Sequence, residues 1–368
     1  MEGLDVSAFA GVYAGKRVLV TGHTGFKGSW LCLWLSMLGA KVTALALPPE
    51  GTPNHFSLLG LDIEAHETDI RAANTLDAVV AAANPEVVFH LAAQSLVHRS
   101  YREPLATWAT NVMGTANLLD ACRRLESLAA VVVVTTDKCY RNNEWAWGYR
   151  EIDPLGGHDP YSASKAGTEL VAASFRDSYF SSPSSPLLAT ARAGNVIGGG
   201  DWSEDRLIPD LVRAIAAGEP LEIRSPRATR PWQHVLDCLS GYLQLGQRLI
   251  EGRREFAEAW NFGPEVESNR RVEDLLVALK GHWPDVVWNQ TREDHPHEAQ
   301  LLYLDSAKAR QKLAWKPIWS FEQGIAATAN WYQAFYQGQP LLTATQLEAF
   351  VADASRRGAA WCAPGGPV

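Results

Sequence analysis

The sequence predicts an α/β protein: a doubly wound parallel sheet followed by a smaller, mixed α/β C-terminal unit. Three observations carry this. Short apolar runs of strand length alternate with segments of helical spacing through the first half of the chain. The first run leads at once into a glycine-rich turn and a helix, through Gly22-His23-Thr24-Gly25-Phe26-Lys27-Gly28. After Gly200 the pattern becomes mixed. The expected division gives residues 1–193, with 232–264 contributing, to the sheet unit, and 194–231 with 265–368 to the smaller one.

Composition bounds the class. The 368 residues are 46% hydrophobic and 20% charged, an ordinary globular balance. A net charge of −8 gives no reason to expect nucleic acid or an anionic membrane as partner. No apolar run approaches the ~18 residues of a membrane span. No secretory signal is read near Met1. The five cysteines (Cys32, Cys122, Cys139, Cys238, Cys362) are widely spaced and form no C-x-x-C, so neither a disulfide framework nor a zinc site is indicated. A reducing, cytoplasmic setting is the expectation. Fourteen tryptophans are many for this length; core packing accounts for most, with a site or subunit contact as the alternative.

In order, residues 1–15 read as a short leader. Lys16 to Thr21 is the first buried strand. The glycine turn and a helix from Ser29 to Leu38 follow. Strand, glycine turn and helix are the context a dinucleotide requires, because the helix N-terminus offers free N–H groups to a pyrophosphate. The spacing here is G-x-x-G-x-x-G, and a glycine turn without ligand is the bland alternative. Lys41 to Leu47 is the second strand. It runs into Pro48-Pro49 without the acid that often meets an adenosine ribose; the first acid is Glu50. This position therefore does not decide NAD against NADP. Asp69-Ile70 follows a third strand, Glu64 to Thr68. The pair either flanks an adenine or is simply surface. Val87 to Gln94 is the fourth strand, ending in small residues that admit a ligand over the sheet edge. A helix from Pro104 to Arg124 carries Asn111 among apolar neighbours, where a buried amide needs partners.

Ala130 to Thr136 is the fifth strand and delivers Thr135, Thr136, Asp137, Lys138 and Cys139 at its end. After a tryptophan-containing loop comes Tyr161-Ser162-Ala163-Ser164-Lys165, inside a helix from Ser162 to Tyr179. Four residues apart on a helix, the phenol and the ammonium are neighbours. An adjacent cation favours phenolate, which makes the pair an acid/base couple for a carbinol–ketone reaction. Alone, such a pair is more often solvated. Leu187 to Ala193 is the sixth strand.

Beyond it, helices are expected at Arg206–Ala217, His234–Leu249, Val272–Gly281, Asp305–Leu313 and Phe321–Gln337, with a last helix after Pro340 and a loose end. Short strands are expected at Leu221–Arg224 and Trp260–Phe262. Arg224, Arg227, Arg230 and Trp232 lie close together. Guanidinium forks and a ring suit a nucleotide diphosphate; a solvated basic loop is the alternative. His295, His297 and Glu298 gather in one stretch, but no further ligand cluster pairs with them, and no metal is expected.

With these residues in view, the chain resembles the extended short-chain dehydrogenase/reductases, in which the doubly wound sheet is a Rossmann fold. The resemblance is carried by Thr21-Gly22-x-x-Gly25-x-x-Gly28, Leu91-Ala92-Ala93, Asn111 and Tyr161-x-x-x-Lys165. Within them it is most similar to the nucleotide-sugar 4,6-dehydratases. That narrower likeness rests on Gly22 through Trp30, Thr136-Asp137-Lys138-Cys139-Tyr140, Gly198-Gly199-Gly200-Asp201-Trp202, Arg230-Pro231-Trp232-Gln233-His234-Val235 and His295-Pro296-His297-Glu298-Ala299. Together these motifs resemble those of the enzymes that act on CDP-glucose, and so imply it as substrate.

The resemblance implies NAD held by Thr21, Gly22, Thr24, Gly25, Phe26, Lys27, Gly28, Asp69, Ile70, Leu91, Ala92, Ala93, Gln94, Asn111, Thr135, Tyr161 and Lys165. It implies a nucleotide-sugar met by Ser95, Asn195, Arg206, Arg224, Arg230, Gln233, His234 and His297. Thr136, Asp137, Lys138, Tyr161 and Lys165 are the implied catalytic set. Tyr161 would take the C4 hydroxyl proton, with Lys165 depressing its pKa. Asp137 would protonate the departing C6 hydroxyl and Lys138 would take the C5 proton. A lysine ordinarily titrates near ~10.4, so it must first be made neutral; holding Asp137 or a sugar hydroxyl is its alternative role. A nucleotide-sugar 4-epimerase or reductase of the same fold is the rival reading. The resemblance also implies a homodimer or dimer of dimers through helices 104–124 and 161–178, although an internal core face has the same pattern.

Overall fold

The computed structural model describes residues 8–223, 225–290 and 301–363. Seven strands make the central sheet: β1 (Arg17–Thr21), β2 (Lys41–Ala46), β3 (Glu64–Glu67), β4 (Val87–His90), β5 (Ala130–Val134), β6 (Leu187–Ala193) and β7 (Ala259–Phe262). All pair in parallel, in the order β7-β6-β5-β4-β1-β2-β3. The chain winds one way from β1 to β3 and the other way from β4 to β7. The reversal falls between β1 and β4, where Thr21 stands in register with His90. Ligands of open α/β sheets bind beyond the carboxyl ends of strands at such a point. Strands β4, β5 and β6 are buried at every position, as strands covered on both faces must be. Edge strand β3 is mostly exposed and carries Glu64, His66 and Glu67, which discourage pairing with another chain.

The helix after β1, Phe26–Met37, is apolar almost all round because it is packed between the sheet and the helices Val235–Ile250 and Thr343–Arg356. It draws in residues 8–13 and Trp361, which makes that part of the expected leader core; the Gly/Pro-rich end after 363 lies outside the described residues. Phe9 is fully buried and stacks on Trp361, with ring centroids 4.9 Å apart, and both rings meet Trp34 edge-on. The Tyr13 hydroxyl donates to the Leu243 carbonyl at 2.6 Å.

A second correction concerns the helix expected over Pro104–Arg124. It is three pieces: Pro104–Trp108, a π-turn at Ala109–Met113, and Gly114–Cys122. A π-turn widens the ladder and frees a carbonyl. The Asn111 carbonyl is satisfied by two hydroxyls, Thr115 at 2.7 Å and Thr168 at 2.9 Å. Thr168 belongs to the long helix Pro160–Ser178, so the bulge is pinned from outside.

Three two-stranded ladders stand apart from the sheet: Val196–Ile197 with Gln233–His234, Thr229–Pro231 with Asn269–Arg271, and Leu221–Ile223 with Trp288–Gln290. With the helix Leu207–Ala217 they build the wall that faces the strand ends.

Candidate active site

A cleft of about 1540 Å³ opens where the strands end. One small ligand usually occupies ~300–1,000 Å³, so this cleft has room for two. One side is the glycine turn, the ends of β2 and β3, and residues 91–95; the other is 193–213 with Ile223 and Arg230. Thr136, Asp137, Lys138, Tyr161 and Lys165 lie on the lining as well.

The glycine side fits a dinucleotide. Gly25 is the N-cap of the first helix and places no side chain on its first amides. A Cβ on Gly28 would lie 2.1 Å from the Gly22 carbonyl oxygen, so the turn closes only with glycine there. The amides and the positive helix end are thereby open to an anion. Gly22, Thr24, Gly25, Phe26, Lys27 and Gly28 line the cleft, as do Asp69, Ile70, Leu91, Ala92, Ala93, Gln94 and Thr135. The Lys27 ammonium reaches Tyr242 Oη at 3.4 Å, and burial pushes its pKa down. The Asp69 carboxyl is held below its ordinary range by hydrogen bonds from Arg71, and Arg99 clasps Glu50 with two hydrogen bonds.

Two of the expected cofactor residues lie behind the lining. Thr21 and Asn111 are fully buried, and their side chains brace the loop instead of facing a ligand. Thr21 Oγ1 accepts the Leu91 and Ala92 amides at 3.1 Å and so donates to His90 Nδ1 at 2.7 Å. Thr115 donates to the Asn111 carbonyl and so accepts from His90 Nε2, at 3.0 Å. His90 is thus a neutral bridge with its proton on Nε2, and burial pushes its pKa down to about 3. The Asn111 amide takes the Gln94 N–H at 2.8 Å and donates to Ser164 Oγ at 2.8 Å, while Ser164 donates to the Tyr161 carbonyl. The cofactor loop and the Tyr161 helix are therefore one hydrogen-bonded frame.

That helix begins at Pro160, two residues earlier than expected. Proline suits the first helical position, and Asp159 caps it by accepting the Ser162 amide at 2.9 Å. Tyr161 consequently sits in the first turn, where the helix end favours negative charge. Burial nevertheless pushes its phenol up to about 12, against the pull of the Thr136 hydroxyl and the Arg206 guanidinium. This modifies the expectation that Lys165 sets the phenol. The Lys165 ammonium donates to the Val134 carbonyl at 3.1 Å, and burial, aided by the Lys27 charge, lowers its own pKa to about 8.

Asp137, Lys138 and Cys139 form a single 3-10 turn capped by Thr136. The Thr136 hydroxyl donates to Asp137 Oδ1 at 3.0 Å. Lys138 Nζ lies 3.7 Å from the same oxygen, its side chain about a third exposed. Asp137 Oδ2 is buried and has no hydrogen-bond partner among the described residues. It faces Gly194, whose Cβ would come within 2.9 Å of it, so the approach requires a glycine.

The expected substrate residues divide. Ser95, Asn195, Arg206 and Arg230 line the cleft. Arg206 joins Asp201 at 3.0 Å and Ser95 Oγ at 3.0 Å. Gln233 and His234 do not line it; their side chains turn into the core instead of the cleft. Gln233 donates to the Phe262 carbonyl at 3.0 Å, and the His234 ring packs between Trp30 and Trp319 while its Nδ1 caps the helix Val235–Ile250. Arg224 and His297 lie outside the described residues.

Sequence reasoning missed the ion pair behind the site. Arg192 Nε and Nη2 meet Glu169 at 2.9 and 2.8 Å, and both side chains are 3% exposed. The signal was available: Glu169 is four residues beyond Lys165, hence on the same helix face, and Arg192 interrupts an apolar strand.

Residues 19–328 match the family model described as GDP-mannose 4,6 dehydratase. The chain is 47% identical over 345 residues to the CDP-glucose 4,6-dehydratase of Salmonella typhimurium, covering 91% of this chain and 96% of that one. Among solved structures, the dTDP-glucose 4,6-dehydratase of Streptomyces venezuelae, with NAD bound, superposes with a TM-score of 0.72 at 27% identity, over 88% of this chain and 98% of that chain. The UDP-glucose 4-epimerase of Thermotoga maritima shares the fold, with a TM-score of 0.72 at 23% identity over 87% and 99% of the two chains. The chain belongs to the GDP-mannose 4,6-dehydratase family, within the extended short-chain dehydrogenase/reductases.

Proposed function

We propose that the protein dehydrates CDP-glucose to CDP-4-dehydro-6-deoxyglucose with NAD as a recycled cofactor. The observation that carries this is the convergence of two chemistries on one cleft. Tyr161 and Lys165 serve oxidation at a carbinol; Asp137 and Lys138, on the turn after β5, serve removal of water. An epimerase needs only the first. The 47% identity to a CDP-glucose enzyme supports the choice of nucleotide.

NAD would be held along Gly22–Gly28, Asp69–Ile70, Leu91–Gln94 and Thr135, with Lys165 at its nicotinamide ribose. Its chemistry, when bound, is that of a reversible hydride acceptor from C4 and donor to C6. Tyr161 takes the C4 hydroxyl proton as phenolate, the form that Thr136, Arg206 and the helix end favour against burial. The resulting ketone acidifies the C5 hydrogen. Lys138 and Asp137 hold one proton between them, and its passage from Nζ to Oδ1 leaves a neutral amine and a carboxylic acid together. The amine takes the C5 proton, and the acid protonates the C6 hydroxyl as it leaves as water. Lys138 then returns a proton to C5, and the proton that Tyr161 took from the C4 hydroxyl restores the one shared by Lys138 and Asp137, so the residues end as they began. Residues 194–231 and 265–368 supply the grip on the nucleotide-sugar, through Asn195, Arg206 and Arg230.

The active unit is a homodimer. Leu105, Met113 and Leu170 expose 83%, 57% and 61% of their surface on the helices of 104–122 and 160–178, a face suited to a second copy of itself.

Incubation of the purified protein and NAD with CDP-, dTDP-, UDP- and GDP-glucose tests the reading. The CDP sugar should lose the mass of water and give the alkali-induced absorbance of a 4-keto-6-deoxy sugar. Conversion to a galactose without loss of water would replace the reading with epimerisation.

A further inference from the structure

The two halves of the site sit on different elements. Tyr161 and Lys165 ride on the helix Pro160–Ser178, whereas Asp137 and Lys138 ride on the turn after β5. Something must fix the distance between them. The direct contact across the cleft is one hydrogen bond between the Thr136 and Tyr161 hydroxyls. Behind it lies a rigid connection. Glu169, one turn beyond Lys165, accepts from Thr135 at the start of the catalytic turn. Its second oxygen accepts from Thr190 at 2.7 Å, and both oxygens take the Arg192 fork. Arg192 then donates to Tyr140 Oη at 2.6 Å, at the far end of the same turn, and stacks over the Tyr140 ring at 4.9 Å. Tyr140 donates to Asn261 of β7 at 2.8 Å. The turn 136–139 is therefore gripped on both flanks by one buried ion pair anchored on the catalytic helix.

Two opposed charges in a dry interior are a costly means of joining elements, and apolar side chains of similar volume commonly serve stability as well. A bidentate fork adds what apolar contacts lack, a fixed direction and spacing. We propose that Glu169 and Arg192 are positioning residues that hold the oxidation half of the site at a set distance from the elimination half, so that an oxidised sugar goes on to lose water before the first step reverses. This rests on the proposed dehydration. The charged and titratable groups around the pair are Lys165 and Arg176 on its own helix, Cys139, Tyr140 and Asp137 on the turn, and Glu151 from the loop.

The test is the double variant E169M/R192M, which removes both charges and leaves no buried ion alone. A second variant, R192K, keeps the charge and loses the fork. Wild-type turnover of CDP-glucose comes first and judges the dehydration reading separately. With that established, the double variant should keep KM within about threefold, lose roughly 10–100-fold in kcat, and accumulate reduced cofactor in stopped-flow absorbance, since oxidation outruns elimination. R192K should fall between the two. Hydrogen–deuterium exchange of the ligand-free proteins gives an independent readout: amides of 136–141 should lose protection in the double variant while those of β1 and β4 keep theirs. A folded double variant with wild-type partition and wild-type exchange at 136–141 overturns the proposal. So does a fall in kcat with no build-up of reduced cofactor, which would make the pair a scaffold without bearing on the order of steps.

Discussion

Asp137 and Asp237 are each 1% exposed, and among the described residues each leaves its Oδ2 without a hydrogen-bond partner. Their surroundings differ in two respects. Asp137 lines the cleft and has the Lys138 ammonium 3.7 Å away. Asp237 lies in the first turn of the helix Val235–Ile250, behind the cleft, and accepts the Ile318 amide at 2.6 Å and the Trp319 amide at 3.4 Å. Among the described residues no cation stands within ion-pair distance of it. Burial, only partly offset by those amides, pushes its pKa up to about 7. A buried carboxyl becomes a chemical tool when it meets both a ligand space and a proton partner; with neither it is a brace. The orphan oxygen alone does not distinguish the two cases.

The sharpest way to break this comparison is the same substitution at both sites. Asp137→Asn preserves shape and the Thr136 contact but cannot act as an acid. Turnover should fall roughly 10²–10⁴-fold, the usual span for a lost proton-transfer group, with the melting temperature unchanged. Asp237→Asn should leave turnover within a factor of about two. Similar losses of turnover at both positions would mean that the distinction drawn from access is wrong.

Lys138→Met probes the partner that Asp237 lacks. Oxidation at C4 should survive, visible as reduced cofactor, while exchange of the C5 hydrogen with deuterated water should drop by about 10²-fold or more. Normal exchange would remove Lys138 from the role of base.

Much of the catalytic half was legible because its logic is local. Tyr161 and Lys165 need only a helical period, and Asp137 and Lys138 need only a strand that ends before them. The same holds for the glycine turn. The sequence misled where a side chain's destination depends on remote packing. His234 turns inward because Trp30 and Trp319 enclose it, and Gln233 because its amide reaches the Phe262 carbonyl. Phe9 became core because Trp361 and Trp34 close over it. The break in the 104–122 helix depends on a hydroxyl from Thr168, which no spacing within that helix reveals.

The split within Arg230–His234 makes a milder test. Arg230 lines the cleft, so Arg230→Ala should raise KM for the nucleotide-sugar about tenfold or more, the value of a charged hydrogen bond, with stability unchanged. His234→Ala should do the reverse. Loss of the cap and of ring packing should cost on the order of 2 kcal/mol in denaturant unfolding, with KM unmoved. A raised KM without loss of stability in His234→Ala would return His234 to the substrate.

The smallest effect is the pH dependence that Asp237 contributes to stability. Its folded pKa of about 7 lies above the ~3.9 of an unfolded aspartate. Between those values the folded state binds the proton more tightly, so this group's contribution is greatest below pH ~4, declines as pH rises, and is flat above about 7. An asparagine keeps an acceptor for the Ile318 amide and never ionises. Asp237→Asn should therefore be the more stable protein at pH 8, by on the order of 1–3 kcal/mol, and the advantage should vanish near pH 4. Paired urea titrations at the two pH values measure it. An advantage equal at both would assign the effect to shape or hydrogen bonding, and the contrast with Asp137 would then rest on access to the cleft alone.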